Sequence, residues 1–186
     1  MIIGIDVSTW QGKIDWNQVK GAGIHYAILR SSFGSPDPSQ VDNQFENNYK
    51  GAKAAGIPVG AYHYGYAVSE AEARQEAKFF LDTIKGKQFE YPVYYDVEDN
   101  GTMGTLSRQT LTNVIKAFCS EVEKAGYYVG VFMPPSAGLT ANSILTSFPM
   151  MSGLPSILLS ASIPANMACG STPAPAAFPE SRAAWI

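Results

Sequence analysis

Short apolar runs alternate with amphipathic stretches along the first 133 residues of the chain. The apolar runs are nearly continuous, which is typical of strands covered on both faces of a parallel sheet. We predict strands over residues 2–7, 26–30, 58–64, 93–98 and 127–132. Apolar residues between them recur at helical spacing, so helices are predicted over residues 15–20 and 47–55 and from residues 69 and 107 onward. Such repeated units predict an α/β fold, a (β/α) barrel at least in its first five strands.

The chain changes character after Phe132. Residues 134–186 contain eight of the twelve prolines and only two charged residues, Glu180 and Arg182. No helical or strand period persists there, although several short segments are too apolar for a solvated linker. We therefore divide the chain into a β/α domain over residues 1–133 and a Pro/Ser/Ala-rich tail over residues 134–186, in which we expect irregular structure.

Composition narrows the class of protein. A chain of 186 residues that is 46% apolar can bury one sizeable core, and we expect a monomer. Its net charge of −3 argues against nucleic acid or an anionic membrane as the main partner. Two cysteines and two histidines without metal-ligand spacing predict neither a disulfide framework nor a metal site. We identify no signal peptide and no transmembrane segment.

Two carboxylates follow each other at the end of the fourth predicted strand, in the run Tyr94-Tyr95-Asp96-Val97-Glu98. Side chains at positions i and i+2 of a strand point to the same face, so Asp96 and Glu98 are expected side by side. Neighbouring carboxylates push their pKa values apart, which provides one proton donor and one anion at neutral pH. General acid catalysis of glycoside cleavage needs that pairing. The simpler alternative is an exposed acidic strand end.

Further polar residues fall at other predicted strand ends, where β/α barrels carry their active sites. Asp6 closes the first strand, Arg30 the second, and Tyr62 and Tyr64 the third. Each also has a structural reading: a turn cap for Asp6, rim packing for the tyrosines, and for Arg30 an ion pair with Asp6 or Asp96. His63 alternates with the two tyrosines, so we expect a packed, hydrogen-bonded histidine facing the helices.

At this point the motifs resemble those of glycoside hydrolase family 25, the Chalaropsis-type lysozymes common among phage endolysins and bacterial autolysins. The resemblance covers residues 1 to about 132. It rests on the runs Gly4-Ile5-Asp6-Val7-Ser8, Trp10-Gln11-Gly12, Ile14-Asp15-Trp16, Gly56 to Tyr64, and Asp96-Val97-Glu98.

The resemblance implies hydrolysis of the β-1,4 bond between N-acetylmuramic acid and N-acetylglucosamine in peptidoglycan, without a metal or organic cofactor. It implies Glu98 as proton donor, Asp96 as its carboxylate partner and Asp6 as a further acid. Tyr62 and Tyr64 would line the sugar groove, with Arg30 as a further substrate contact. Direct attack by an enzyme carboxylate and attack by the substrate's acetamido oxygen both remain open. The expected place of action is the bacterial cell wall, reached after phage release or from the cytoplasm at lysis.

The resemblance stops where the tail begins, and the family's closing strands with their Trp-Gln-Tyr signature are missing. Reading possible codons of residues 166–173 one nucleotide out of phase permits Gly-Met-Trp-Gln-Tyr-Thr, and residues 150–157 permit Asp-Val-Trp-Val-Ala-Gln-Tyr. We therefore hypothesise that a single-base deletion near codon 132 or 133 shifted the reading frame. A sheet left open in this way predicts a marginal or aggregation-prone product with reduced or no lysozyme activity.

Three functions from different classes follow from these observations. The first is a peptidoglycan muramidase whose acids are still encoded in the intact part. The second is a noncatalytic wall-binding fragment, and the third is a nonfunctional frameshift product. A chitinase-like barrel is disfavoured because Glu90, Asp96 and Glu98 do not fit a D-x-x-D-x-D-x-E pattern.

Overall fold

The computed structural model describes residues 2–133 and 184–185. Strands and helices alternate in the first of these ranges, as the sequence predicts. The strands are β1 (Ile3–Val7), β2 (Tyr26–Phe33), β3 (Val59–Tyr64), β4 (Val93–Asp96), β5 (Val129–Phe132) and β6 (Ala184–Trp185). The helices are α1 (Trp16–Gly21), α2 (Phe45–Ala54), α3 (Glu70–Ile84) and α4 (Arg108–Lys124). Three short 3-10 turns that the periodicity did not reveal lie at Thr9–Gln11, Pro38–Gln40 and Met103–Thr105.

All six strands belong to one sheet, in the order β5-β4-β3-β2-β1-β6, and every pairing between them is parallel. The α/β class with a parallel sheet is therefore confirmed. Within the described residues β5 and β6 are the two edges of the sheet, so the predicted incomplete (β/α) barrel, with its last strands missing or replaced, stays a prediction. Ala184–Trp185 pair with β1, a strand that the expectation of an irregular tail did not include. The remainder of the 134–186 prediction lies outside the described residues.

Alternation along the strands separates two apolar faces. The helix face, carrying Leu29, His63 and Tyr95, packs against the helices in the main core. The opposite, aromatic face carries a smaller cluster built on Tyr26, Ile28 and Tyr94. Because both faces are covered by apolar side chains, the strands read as continuous apolar runs.

Glycines make room for the large rings of the aromatic face. Gly4 pairs with Tyr26 and Gly130 with Tyr94 in neighbouring strands. A Cβ at Gly4 would lie 2.2 Å from the Tyr26 ring, and one at Gly130 would lie 2.6 Å from the Tyr94 ring. Each tyrosine ring therefore lies directly over the backbone of the glycine in the neighbouring strand.

Helix starts follow from capping side chains at the expected places. Asp15 accepts hydrogen bonds from the backbone N–H groups of Asn17 and Gln18 at the start of α1. Ser69 accepts from the Glu72 N–H at the start of α3, and Ser107 from the Thr110 N–H at the start of α4. These bonds satisfy N–H groups that have no partner within the helix.

Strand β4 ends earlier than predicted, at Asp96 rather than at Glu98. The Val97 N–H still donates to the Phe132 carbonyl at 2.9 Å. Two residues later Asp99 turns the chain away, because its carboxylate accepts from the N–H and the hydroxyl of Thr102 at 2.6 and 2.7 Å. Glu98 is thus held on a loop at the strand end, between two anchored residues.

Candidate active site

The polar residues predicted at the strand ends lie on the aromatic face of the sheet. Tyr62 pairs with Arg30 and with Tyr94 of the neighbouring strands, and Tyr64 pairs with Asp96. Asp6 pairs with Ile28, which is in register with Gly60, two residues before Tyr62. Since paired residues of a parallel sheet share a face, the ladder brings the predicted site residues of β1 to β4 to one side. His63 lies on the other side.

Asp96 is the most enclosed of the predicted acids, with 8% of its surface exposed. Burial raises its pKa well above the usual range, and the charges of Glu98 and Asp6 raise it further. Arg30 acts in the opposite direction and lowers it. Within the described residues, the Asp96 Oδ1 atom is buried and accepts no hydrogen bond. Asp96 is therefore a buried acid with a raised pKa, and one of its carboxylate oxygens has no hydrogen-bond partner among the described residues.

Asp6 is the second member of this group of acids. It is partly buried near the C-terminal end of β1, and burial is the main reason why its pKa rises from 3.8 to about 6. A hydrogen bond from its own backbone N–H works against this rise, while the charge of Glu98 adds to it. Asp6 thus senses Glu98 although 92 positions separate them in the sequence. The structure brings the three predicted acids together electrostatically, as the sequence suggested.

Glu98 is the most accessible of the three. It is half-buried on the loop beyond β4, and burial raises its pKa above the ordinary value. It is closer to solvent than Asp96 and lies on a loop rather than in the sheet. The strand geometry that motivated its pairing with Asp96 is only partly right, because the strand ends between the two.

Tyrosines line the same region. The pKa of Tyr62 lies well above the usual range because of burial and the nearby charges of Asp6 and Asp96. Burial and the charge of Asp96 raise the pKa of Tyr64 to about 12. The ring of Tyr64 meets that of Tyr66 edge to face, with centroids 5.3 Å apart. Tyr66 was not among the predicted site residues, although it continues the alternation of Tyr62 and Tyr64 beyond the strand end.

Arg30 has an ion-pair partner that the sequence did not suggest. Its Nε donates to the Asp42 carboxylate at 2.8 Å, and the Asp42 side chain is fully buried. Asp42 also accepts from the backbone N–H groups of Thr9 and Gln44, at 2.9 Å each. The suggested pairing of Arg30 with Asp6 or Asp96 is therefore wrong in its partner. Substrate contact by Arg30 stays a prediction.

Trp10 is the most exposed large apolar side chain of the described residues, at 77%. It lies in the 3-10 turn directly after β1, at the same edge of the sheet as Asp6. Two reciprocal hydrogen bonds hold the turn. The Ser8 side chain accepts from the backbone of the turn, and the Gln11 side chain accepts from the backbone N–H of Ser8. An aromatic ring on a fixed turn is a suitable platform for a sugar.

His63 is buried and donates to or accepts from the Ser32 hydroxyl through Nδ1, at 2.9 Å. Its ring stacks on Phe118 of α4, with centroids 5.6 Å apart. The expectation of a packed histidine facing the helices is confirmed.

No group of three or more histidine, cysteine or acidic side chains is placed to hold a metal ion in residues 2–133 and 184–185. No helix in this part of the chain has both the length and the apolar character needed to cross a membrane.

Known proteins resemble this chain over the residues that form most of the sheet. The model of the family described as glycosyl hydrolases family 25 matches residues 5–135. The uncharacterized protein YegX of Escherichia coli O157:H7 is 34% identical over 129 residues, which cover 67% of this chain and 44% of YegX. The autolytic lysozyme of Clostridium acetobutylicum is 33% identical over 113 residues, covering 61% of this chain and 32% of that protein. The chain thus spans less than half the length of these relatives.

The fold of this chain is similar to that of a solved structure. The modular autolysin LytC from Streptococcus pneumoniae, in complex with a synthetic peptidoglycan ligand, superposes with a TM-score of 0.62 at 29% identity. The match covers 72% of this chain and 32% of LytC. The described part of the chain therefore corresponds to one portion of a larger protein in each of these comparisons.

Proposed function

The chain belongs to family 25 of the glycosyl hydrolases, and we propose that it is a lysozyme, an N-acetylmuramidase that hydrolyses the β-1,4 glycosidic bonds of bacterial peptidoglycan. The observation that carries the proposal is the electrostatic coupling of Asp6, Asp96 and Glu98 on one tyrosine-lined edge of the sheet. Retaining and inverting glycosidases alike work with carboxyl groups in different protonation states around the scissile bond. The synthetic peptidoglycan ligand bound to LytC supports the substrate class.

Glu98 is the proposed general acid. Its raised pKa keeps more of its proton near neutral pH, and its partial exposure lets it approach the oxygen that bridges two sugars. Proton transfer from Glu98 to this oxygen breaks the glycosidic bond, and positive charge develops at the anomeric carbon. Glu98 then accepts a proton from the water whose oxygen bonds to that carbon, which restores the acid.

Asp96 and Asp6 are the proposed partners of Glu98. Asp96 is the proposed carboxylate partner of the proton donor, and its buried Oδ1 atom has no hydrogen-bond partner among the described residues. Asp6, with a pKa of about 6, is mostly ionised at pH 7 and supplies negative charge near the developing cation. The pKa of Asp96 is raised by its burial, so the two acids of the same face differ in how readily they ionise.

Tyr62, Tyr64 and Arg30 are the proposed substrate-binding residues. Tyrosine rings stack on the apolar faces of sugars, and their hydroxyl groups supply hydrogen bonds. Asp42 engages Arg30 through Nε, so the terminal nitrogens of the guanidinium remain for a substrate oxygen. The proposed setting of this site is an incomplete (β/α) barrel of the family 25 type that acts as a monomer on the cell wall.

Clearing of bacterial cell-wall suspensions, with reducing ends measured in the same samples, tests the proposal. We expect hydrolysis by the unaltered chain at a reduced rate, and a further fall of about 10²-fold or more in Glu98→Gln because the proton donor is removed. Glu70→Gln serves as the matched control, since Glu70 is exposed on α3 and is not one of the proposed site residues. Sedimentation with the walls without release of reducing ends would instead indicate a noncatalytic binding fragment. Neither binding nor release would indicate a nonfunctional product.

A further inference from the structure

Glu76 of α3 is a buried acid on the helix face of the sheet, outside the group of predicted site residues. Only 3% of its surface is exposed. In residues 2–133 and 184–185 its single ion-pair partner is His63, whose Nε2 lies 3.6 Å from Oε2. An enclosed carboxylate is costly unless its oxygens are hydrogen-bonded, so its contacts indicate what it does.

The two carboxylate oxygens of Glu76 hold two different segments of chain. Oε1 accepts from the backbone N–H of Tyr66 at 3.0 Å, directly after β3. Oε2 accepts from the hydroxyl of Tyr95 at 2.7 Å, in β4. One side chain of α3 thus clamps the end of one strand to the end of the next.

Both segments adjoin Asp96. Tyr95 is the residue immediately before Asp96, and its side chain points to the helix face while Asp96 points to the aromatic face. On the other segment, the N–H of Gly65 donates to the Asp96 carbonyl at 2.9 Å, and the next N–H along the chain, that of Tyr66, donates to Glu76. Glu76 is therefore connected to the backbone of Asp96 by two independent routes.

The route through Tyr95 depends on the absence of a side chain at Gly65. A Cβ there would lie 2.6 Å from the Tyr95 ring and 2.8 Å from its hydroxyl oxygen. The ring passes over this glycine to reach Glu76, and it stacks on Phe118 with centroids 3.8 Å apart. The packing leaves the hydroxyl little freedom to find another acceptor.

We propose that Glu76 is a positioning residue for Asp96, which it holds in place from across the sheet by anchoring both segments that flank this acid. The proposal rests on the proposed function, because it assigns Glu76 to the site in which Asp96 works. Glu76 acts through its two hydrogen bonds and not through its charge.

Two substitutions of Glu76 separate geometry from charge. In Glu76→Gln the amide oxygen accepts from the Tyr66 N–H and the amide nitrogen donates to the Tyr95 oxygen, so both anchors survive without the charge. Glu76→Leu makes neither bond. Tyr95→Phe removes one anchor and keeps the ring stack, which covers the case in which Glu76→Leu does not fold.

Initial rates of reducing-end release from solubilised peptidoglycan give kcat and KM per folded protein. We expect kcat to fall about 10- to 100-fold in Glu76→Leu and about 10-fold in Tyr95→Phe, with KM changed by less than about 3-fold, because displacing a reacting group by about 1 Å has effects of this size. Glu76→Gln should retain kcat within about 3-fold. Glu72→Leu is the matched control, since Glu72 is exposed one turn earlier on α3 and, among the described residues, its carboxylate accepts from the Val68 N–H of the loop before α3.

Amide hydrogen exchange supplies a readout that does not require activity. The Gly65 and Tyr66 amides should exchange at least about 10-fold faster in Tyr95→Phe and Glu76→Leu than in the unaltered chain. The Ala27 amide, which donates to Pro58 at 3.0 Å near the other end of β2, should keep its rate. No hydrolysis by the unaltered chain would refute the proposed function alone, and the exchange rates would then decide on Glu76. Unchanged Gly65 exchange, or an equal loss of kcat in Glu76→Gln and Glu76→Leu, would overturn the inference.

Discussion

Replacing Asp6 with asparagine should make the protein more stable and less active. The partly buried surroundings of Asp6 disfavour its charged form. Asparagine keeps the shape and an acceptor oxygen without the charge. The pKa of Asp6 is raised from 3.8 to about 6. Since tenfold in an equilibrium constant is about 1.4 kcal/mol, ionised Asp6 costs the folded state about 3 kcal/mol at neutral pH.

The direction of the Asp6 pKa shift determines how the stability of the folded state depends on pH. A carboxyl whose pKa is raised on folding contributes stability that is complete below pH 4 and is lost as the pH rises through about 6. The free energy of unfolding of Asp6→Asn should therefore exceed that of the unaltered chain by about 3 kcal/mol at pH 7, and the difference should shrink to nearly zero at pH 4. Urea titrations followed by tryptophan fluorescence at pH 4, 5, 6 and 7 measure both quantities.

Asp15→Asn is the control, because the pKa of Asp15 is shifted in the opposite direction from that of Asp6. Asp15 caps α1 through the N–H groups of Asn17 and Gln18, and these bonds lower its pKa. Asparagine caps equally well, so this variant should gain no stability at neutral pH. An Asp6→Asn variant that is no more stable at pH 7 than the unaltered chain, or whose advantage grows on acidification, would refute the reasoning.

Two further predictions concern the aromatic face and the site edge. Gly4→Ala should lower the free energy of unfolding by about 1–3 kcal/mol in urea titrations, because its Cβ meets the Tyr26 ring, whereas Gly21→Ala, with no atom within 4 Å, should cause no loss. Stability of Gly4→Ala equal to that of Gly21→Ala would contradict the packing described here. Trp10→Ala should weaken binding of a peptidoglycan tetrasaccharide by about 10-fold in calorimetry, while Tyr128→Ala, which is 57% exposed just before β5 at the opposite edge, should not. Equal effects of the two substitutions would argue against a sugar platform at Trp10.

The parts of the fold that depend on local pattern were predictable. Five strands and four helices were expected at nearly the observed positions, because apolar runs and capping residues act over a few residues. The exact end of β4 was not, since it depends on the turn that Asp99 makes with Thr102. Nothing in the periodicity of the chain specifies that hydrogen bond.

Long-range partners were harder to anticipate. Asp42 lies in a loop without periodicity, and only the folded structure brings it to Arg30. Glu76 left a signal that periodicity could have revealed: it lies on the same stripe of α3 as Ala73, Ala77 and Phe80, all of which are buried. A charged residue within an apolar stripe indicates a buried polar contact, but the sequence does not name the partners.

Strand β3 gives its two sides to different tasks, with Tyr62 and Tyr64 beside the acids and His63 among the helices. One residue inserted into or deleted from Val59–Tyr64 would exchange these roles, burying both phenols beneath α3 and α4 and turning the imidazole toward Asp6 and Asp96. The length of this strand is consequently fixed to the residue. Relatives of this protein should vary in length at the loops beyond the strand ends, and engineered insertions belong there as well.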